Sequence, residues 1–310
     1  MRLIIISFLM LCMSCSAWSA DNRFIYPLTH VKNVTAYNLL HDSDLLYVSN
    51  QNQILIYNTF NTWQPRIEAG FYSPFVIEDI ETQSANYFYV ASREPTNQIV
   101  KIDSISASGR IFFPTTMIGD KLTREGATLY VADRFKGIDI VNIGSGGLRE
   151  ITSTFSEKWG IRDFVAVYPY IFALNDFGLV AVDTSDLSNP HSIATNYQIA
   201  DATYIAKYAN TLWVAAGKNL LAFSIINPDN PVLINQYRLA NEISAMEIKD
   251  NKLYLALGRG GLKILDISNP LKIEELSTIN PLYTVYDVAL MEDYIFIALG
   301  KDGWMIYEYR

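Results

Sequence analysis

Short runs of apolar residues recur along the whole chain, and turn residues separate them at regular distances. The clearest stretch divides into ISAMEIKD, KLYLALG, LKILDIS and LKIEELSTI, with Asp250-Asn251 and Asn269-Pro270 among the separating residues. In the two middle runs nearly every position is apolar, which is typical of strands that are covered on both faces. We therefore predict four antiparallel strands in this unit.

The same unit recurs seven times. Its second strand carries a small residue after an aromatic or branched pair, and the seven small residues are Ser49, Ala91, Ala132, Ala173, Ala215, Ala256 and Ala298. Their spacings are 42, 41, 41, 42, 41 and 42 residues. A period near 40 with four strands per unit predicts an all-β, seven-bladed β-propeller. We expect the small side chains to lie where neighbouring blades approach closely.

The ring is expected to be closed by a strand from the start of the chain. The seventh unit ends after its third strand, whereas NRFIYPLTH at 22–30 is similar to the fourth strands of other units. Closure removes sheet edges that invite aggregation. Residues 21–310 are therefore predicted to form a single domain. Its repeats are expected at about 34–75, 76–119, 120–159, 160–199, 200–241, 242–281, and 282–310 together with 22–30.

Residues 1–20 have the pattern of a secretory signal peptide. Arg2 precedes an apolar run from Leu3 to Met13, and SCSAWSA supplies small residues for cleavage. We expect a periplasmic or secreted protein without a transmembrane span in the mature chain, and lipid attachment at Cys15 is the alternative. Both cysteines fall within this segment, so the mature chain is expected to have no disulfide and no thiolate metal site.

Two units closely resemble a known repeat. GLKILDISNP at 261–270 and LVAVD at 179–183 resemble the LVIVD repeat of bacterial exported β-propeller proteins. The aspartate column is degenerate in units one, three and seven, where it reads Asn58, Asn142 and Glu308. The resemblance implies the fold and export, and it implies no catalytic residues. It implies a structural column, whose side-chain oxygens are suited to accept hydrogen bonds from the turn backbone.

Charge and histidine content exclude several function classes. The chain has a net charge of -8, and loss of Arg2 with the signal peptide would leave -9. Nucleic acid is therefore not an expected partner, because binding it needs clustered positive charge. The three histidines, His30, His41 and His191, fall in different units, so we expect neither a catalytic triad nor a histidine metal site. No cofactor is predicted.

Carboxylates at the start of the first strands are the candidates for chemistry in the central channel. The corresponding channel positions are Asn38, Asp79, Lys121, Asp163, Tyr204, Ala245 and Asp287. The three aspartates could hold a cation or act as acid and base. Lys121 and Ala245 interrupt the ring, so we favour the interpretation that the aspartates accept backbone hydrogen bonds between adjacent blades. No catalytic, metal or cofactor-binding residue is therefore predicted.

The turns between second and third strands are expected on one face, which we call the top face, together with the connections between blades. These turns carry six cations against four carboxylates, a net charge of +2 on an acidic body. Aromatic side chains and arginines dominate binding hot spots. The candidate partner-binding residues are Arg134, Phe135, Lys136, Trp159, Phe177, Arg259, Tyr283, Tyr286 and Lys301.

These observations favour a non-enzymatic extracytoplasmic binding protein, as a scaffold, an assembly factor or an inhibitor or immunity-type protein. It would engage a protein partner through the top face, with an acidic surface expected on that partner. A module that binds glycans or the cell wall by stacking on tyrosine and tryptophan is the alternative. A hydrolase or lyase that uses the channel aspartates is disfavoured, because a fold alone supplies no chemistry.

Overall fold

The computed structural model describes residues 17–18, 24–84, 87–92, 98–103, 111–114, 119–144, 151–196, 199 and 201–309. In these ranges the chain forms 29 strands and no helix. Accordingly, no described segment is a helix long and apolar enough to cross a membrane. The strands form seven antiparallel sheets, which are the blades of a seven-bladed β-propeller.

The first four blades follow one another along the chain. Blade 1 consists of β3 (Asn38–Asp42), β4 (Leu45–Ser49), β5 (Gln53–Asn58) and β6 (Arg66–Tyr72). Blade 2 consists of β7 (Ile77–Ser84), β8 (Tyr87–Ser92), β9 (Gln98–Asp103) and β10 (Ile111–Pro114). Blade 3 consists of β11 (Lys121–Glu125), β12 (Thr128–Asp133), β13 (Gly137–Asn142) and β14 (Ile151–Ser156). Blade 4 consists of β15 (Asp163–Val167), β16 (Tyr170–Leu174), β17 (Leu179–Asp183) and β18 (His191–Asn196).

The remaining blades include strands from both ends of the chain. Blade 5 consists of β19 (Ala202–Tyr208), β20 (Thr211–Ala216), β21 (Asn219–Ser224) and β22 (Val232–Arg238). Blade 6 consists of β23 (Ala245–Lys249), β24 (Lys252–Ala256), β25 (Leu262–Asp266) and β26 (Glu274–Ile279). Blade 7 consists of β27 (Asp287–Met291), β28 (Tyr294–Ala298), β29 (Trp304–Tyr309) and β2 (Phe24–Val31), and β1 (Ala17–Trp18) adds a short fifth strand.

The N-terminal strand closes the ring, as predicted. β2 pairs antiparallel with β29, with Ile25 opposite Tyr309 and Val31 opposite Trp304. β2 is therefore the fourth strand of blade 7. β1 pairs with Phe24 and Ile25 on the outer side of β2 and falls within the predicted signal peptide. The rest of that signal peptide, including Cys15, lies outside the described residues.

Apolar side chains between adjacent blades form the core. Between blades 6 and 7, for example, Tyr254, Ala256 and Ile264 form one buried cluster with Val288 and Ile297. The predicted column of small residues lies in this close-packed region, and its members are all fully buried: Ser49, Ala91, Ala132, Ala173, Ala215, Ala256 and Ala298. A larger side chain at these positions would meet a densely packed interior.

The aspartate and asparagine column stabilises the turns after the third strands. The Asp183 Oδ1 atom accepts a hydrogen bond from the Ser185 amide at 2.7 Å, and Asp266 Oδ1 accepts one from the Ser268 amide at 2.7 Å. Asn58 bonds the turn backbone in the same way at 3.1 Å. These contacts agree with the structural role that the resemblance implied.

The top face is held together by backbone hydrogen bonds between turns and connections. In five blades the turn between second and third strands accepts a bond from the chain that leads into the next blade. The donor–acceptor pairs are Ile77 N–Gln51 O, Ile161 N–Asp133 O, Ile243 N–Gly217 O, Val285 N–Gly258 O and Ala36 N–Gly300 O. In these five blades the turns and connections are therefore joined to one another on the top face.

Candidate functional site

A cavity of about 1000 Å³ occupies the central channel, and the seven first strands line it. The predicted channel positions all face this cavity, at its top-face end: Asn38, Asp79, Lys121, Asp163, Tyr204, Ala245 and Asp287. A second level of lining residues follows two positions further along the strands, and it includes Glu81 and Glu247. Because strand side chains alternate between faces, these two glutamates point the same way as the residues above them.

The three channel aspartates connect neighbouring blades. The Oδ2 atom of Asp79 accepts a hydrogen bond from the Leu122 amide at 2.8 Å. Asp163 accepts one from the Ile205 amide at 2.8 Å, and Asp287 accepts one from the Leu39 amide at 2.7 Å. Each acceptor lies one blade before its donor, which agrees with the backbone-acceptor interpretation. No group of three metal-binding side chains occurs among the described residues.

Lys121 is the cation at the centre of this arrangement. Its Nζ atom lies 3.3 Å from Asp79 Oδ2, and this carboxylate is the main reason that the pKa of Lys121 is raised. Asp163 and Asp287 raise the pKa further, whereas burial lowers it. The lysine therefore stays charged and offsets part of the negative charge of the channel.

Burial makes the channel carboxylates weaker acids. It raises the pKa of Asp163 and of Asp287 to about 6 in each case. Burial also raises the pKa of Glu81 to about 7, with a further contribution from Asp79. For Glu247, which is exposed to the channel, desolvation inside the channel and the nearby Asp287 raise the pKa to about 7. The cavity therefore holds more acidic groups than its environment readily stabilises in the charged form.

Carboxylates outnumber cations along the described lining of the cavity. The lining contains eight carboxylates, Glu78, Asp79, Glu81, Asp120, Asp163, Asp176, Glu247 and Asp287, and four cations, Lys121, Arg134, Arg162 and Lys207. Three of the cations form ion pairs, in which Arg134 contacts both Asp120 at 3.1 Å and Glu78 at 3.4 Å. Arg162 contacts Asp176 at 2.9 Å. The remaining carboxylates are Glu81, Asp163, Glu247 and Asp287.

The expected basic rim is weaker than the turns alone suggest. Arg134 is not a free surface cation, because Asp120 and Glu78 hold its guanidinium group. The connections between blades add four carboxylates against three cations to the same face. Lys136, Arg259 and Lys301 are exposed on their turns. Arg93 and Glu94, two of the charges counted on the turns between second and third strands, lie outside the described residues.

Three aromatic side chains lie exposed at the top of blades 3 and 4, and we call them the aromatic cluster: Phe135, Trp159 and Phe177. Their exposed fractions are 73%, 38% and 41%. The rings of Trp159 and Phe177 meet edge to face with centroids 4.3 Å apart. The Lys158 ammonium group lies 4.7 Å from the centre of the Trp159 ring. Trp159 and Phe177 therefore form a ring pair, and Phe135 is exposed on the turn of blade 3.

The other two aromatic candidates lie apart from this cluster. Tyr286 is partly exposed and packs edge to face on Tyr37, with ring centroids 5.0 Å apart. Tyr283 is half-buried, contacts the His30 ring at 5.3 Å and packs against the core of blades 6 and 7. We therefore assign Tyr283 a mainly structural role. Sequence alone did not show this packing, because it depends on how the connection folds back.

The three histidines make separate local contacts. His30 Nε2 lies 2.8 Å from the carbonyl oxygen of Asp302, and His191 Nδ1 lies 3.3 Å from that of Asn189. His41 stacks on Phe296, and burial lowers its pKa to about 4. Each ring thus has a local structural environment, and no two of them share a site.

Glu81 and Glu247 are channel residues that the sequence interpretation missed. The period-two alternation of the first strands was the signal that could have found them, because each lies two positions after a channel position. Glu81 accepts hydrogen bonds from the amides of Thr82 at 2.9 Å and Arg124 at 3.2 Å. Glu247 forms no hydrogen bond or ion pair with the residues described around it.

The LVIVD repeat model matches three segments of the chain, residues 167–197, 244–280 and 284–306. These segments lie in blades 4, 6 and 7. The match in blade 7 ends at residue 306 and so does not include Glu308 of the aspartate column. No curated protein sequence matches the chain significantly.

Solved structures share the fold at low sequence identity. A chain of the mitotic checkpoint complex is 11% identical with a TM-score of 0.71, and the match covers 99% of each chain. BamB from Moraxella catarrhalis is 9% identical with a TM-score of 0.62, over 92% of this chain and 97% of BamB. PorZ from Porphyromonas gingivalis is 13% identical with a TM-score of 0.63, over 91% of this chain and 37% of PorZ. At such identities the likeness concerns the fold alone.

Proposed function

We propose that this seven-bladed β-propeller, which carries LVIVD repeats in blades 4, 6 and 7, is a non-enzymatic binding protein that acts outside the cytoplasm. It engages a protein partner through its top face, as a scaffold, an assembly factor or an inhibitor. The single observation that carries this proposal is the aromatic cluster, three exposed rings on the turns and connections of blades 3 and 4.

Exposed aromatic rings on the top face are suited to anchor a partner. Phenylalanine, tryptophan and arginine are enriched at the energetic centres of protein interfaces. At Gly160 the connection packs closely on the turn of blade 3, because a side chain there would collide with the Arg134 carbonyl group. The backbone that carries Phe135 and Trp159 is thus closely packed, and a preorganised backbone lowers the entropy lost on binding.

The channel aspartates support a binding role rather than catalysis. Asp79, Asp163 and Asp287 each accept a backbone hydrogen bond from the next blade, so these carboxylates already stabilise contacts between blades. A catalytic acid or base must reach the substrate proton that it transfers. Asp176, an exposed carboxylate of the top face, is held in an ion pair with Arg162.

The exposed turn cations define the outer part of the proposed interface. Lys136, Arg259 and Lys301 extend from the turns of blades 3, 6 and 7. An acidic patch on the partner would be attracted to them, and such attraction raises the association rate at low salt. The aromatic cluster would then determine how long the complex lasts.

Photo-crosslinking tests the proposed face directly. A photoreactive phenylalanine analogue replaces Phe135 in one variant and Phe60, on the opposite face, in a matched control; both side chains are strongly exposed. The same specific protein adduct should form in producing cells from position 135 and not from position 60. A specific adduct from position 60 alone would reject the top face as the binding surface.

Glycan binding is the second candidate function, and one observation favours it. The edge-to-face pair of Trp159 and Phe177 lies beside the exposed carboxylate of Asp176, and sugar-binding surfaces combine aromatic rings with polar groups. Saturation-transfer NMR with cell-wall oligosaccharides distinguishes the two functions. Transfer that is lost in the Trp159→Ala variant would favour the glycan over the protein partner.

A further inference from the structure

The aromatic cluster lies beside the acidic channel opening, and we infer that the two together bind an extended segment of the partner. That segment carries an apolar side chain close to a lysine or arginine. The inference rests on the proposed function, because it specifies what the top face recognises. It places a cationic side chain at the centre of the interface, inside the ring of turn cations.

The two parts of this docking surface share residues. The Phe135 ring, 73% exposed, belongs both to the aromatic cluster and to the lining of the cavity. Arg162 and Asp176 also line the cavity, and Asp176 lies on the turn that carries Phe177. A segment that contacts Phe135 is therefore already at the channel opening, within reach of the carboxylates below it.

The charge of the cavity selects a cation. Four carboxylates remain after the ion pairs of the described lining residues are counted, and Lys207 is the remaining cation. Of these carboxylates, Glu247 has neither a hydrogen bond nor an ion pair with another described residue. A cavity of about 1000 Å³ has room for a lysine or arginine side chain. An acidic side chain would meet like charge there.

Lys121 shows that this environment stabilises a cation. Its ammonium group contacts Asp79 at 3.3 Å and lies in the field of Asp163 and Asp287. Glu81 and Glu247 form the next level of the channel, where blade 3 contributes Thr123 rather than a cation. A cationic side chain of the partner would supply a positive charge at that level, as Lys121 does at the level above.

Fluorescence anisotropy with labelled peptides tests the inference on the expected mature chain, residues 21–310. The probes are three glycine-serine peptides of equal length: one with a tryptophan and two lysines, one with a tryptophan and two glutamates, and one with the lysines alone. The first should bind at least about tenfold more tightly than either of the others. Equal binding of all three, or no binding up to about 1 mM, would overturn the inference.

Two variants locate the binding site. Phe135→Ala should weaken binding of the tryptophan-lysine peptide, and Glu81→Gln with Glu247→Gln should reduce its preference over the glutamate peptide at least about fivefold. Glu68→Gln, an exposed change on β6 outside the channel, is the matched control and should leave the preference unchanged. An unchanged preference in the channel variant would also overturn the inference. If position 135 still crosslinks to a partner, the proposed function stands although this inference fails.

Discussion

At the scale of single residues, the channel aspartates use a charged group for a structural purpose. Asp163 is buried and accepts the Ile205 amide of the next blade at 2.8 Å. The buried amide would otherwise lack a partner, and an unsatisfied buried donor costs more than an average hydrogen bond contributes. The same contact at Asp79 and Asp287 joins blade 2 to blade 3 and blade 7 to blade 1. These three residues therefore help to set the relative position of the blades.

Replacement of Asp163 measures this contribution. Asp163→Ala should lower the free energy of unfolding by about 1–3 kcal/mol, because the Ile205 amide loses its acceptor. Asp163→Asn should cost less, since the amide oxygen can still accept the bond. Asp176→Ala, which removes an exposed ion pair, is the control and should change stability by about 1 kcal/mol or less. Urea denaturation checks all three. Equal effects of the alanine and asparagine variants would argue against the hydrogen bond as the cause.

At the scale of strands, the closing strand explains how a ring is built from an open chain. β2 supplies the fourth strand of blade 7, whereas its first three strands come from the C-terminal end of the described chain. Ile25 is buried and joins the core cluster between blades 6 and 7. The two ends of the propeller therefore share a single sheet, which couples the first and last blades.

Deletion variants test the closing strand. A chain that starts at residue 21 lacks only β1, so its free energy of unfolding should stay within about 1 kcal/mol of that of the full-length chain. A chain that starts at residue 32 also lacks β2, and it should lose several kcal/mol because one sheet edge and part of the core become exposed. Thermal unfolding followed by circular dichroism distinguishes the two. Equal melting temperatures would rule out the closing role of β2.

Sequence periodicity predicted most of the fold but only part of the site. Ser49 and the alanines that follow it could be placed because every blade repeats the same close contact. The ion pairs of Arg134 could not be predicted, since Asp120 and Glu78 lie outside the turn that carries the arginine. Contacts within one repeat recur along the sequence, whereas contacts between a turn and a connection are specific to one blade. The aromatic cluster depends on such contacts, so the sequence predicted its members without their arrangement.

At the scale of the whole molecule, we expect the channel carboxylates to make stability depend on pH. Glu81 and Glu247 have pKa values of about 7, and Asp163 and Asp287 have values of about 6. These lie above the ordinary values of 4.5 and 3.8, so in the intervening pH range the folded state binds more protons than the unfolded state. Stability attributable to these groups therefore falls as pH rises. His41, with its lowered pKa of about 4, opposes this trend below its ordinary value of 6.5.

The melting temperature should accordingly decrease between pH 5 and pH 8, because four carboxylates outweigh one histidine. The variant with Glu81→Gln and Glu247→Gln should show a smaller decrease, since two of the responsible groups no longer titrate. Glu68→Gln provides an exposed control whose pH profile should match that of the unchanged protein. Differential scanning calorimetry at several pH values gives the comparison. A melting temperature that rises steadily over this range would contradict the assignment.

The dissociation rate of the complex tests most directly whether the top face of blades 3 and 4 holds the partner. Once crosslinking has identified the partner, surface plasmon resonance compares the double variant Phe135→Ala, Phe177→Ala with Phe60→Ala, Ile226→Ala on the opposite face. All four side chains are exposed, so folding should be preserved in both variants. The first should dissociate at least about tenfold faster, which corresponds to about 1.4 kcal/mol of lost binding energy, and the second should dissociate at the unchanged rate. The opposite pattern, or equal rates in all three proteins, would contradict the claim.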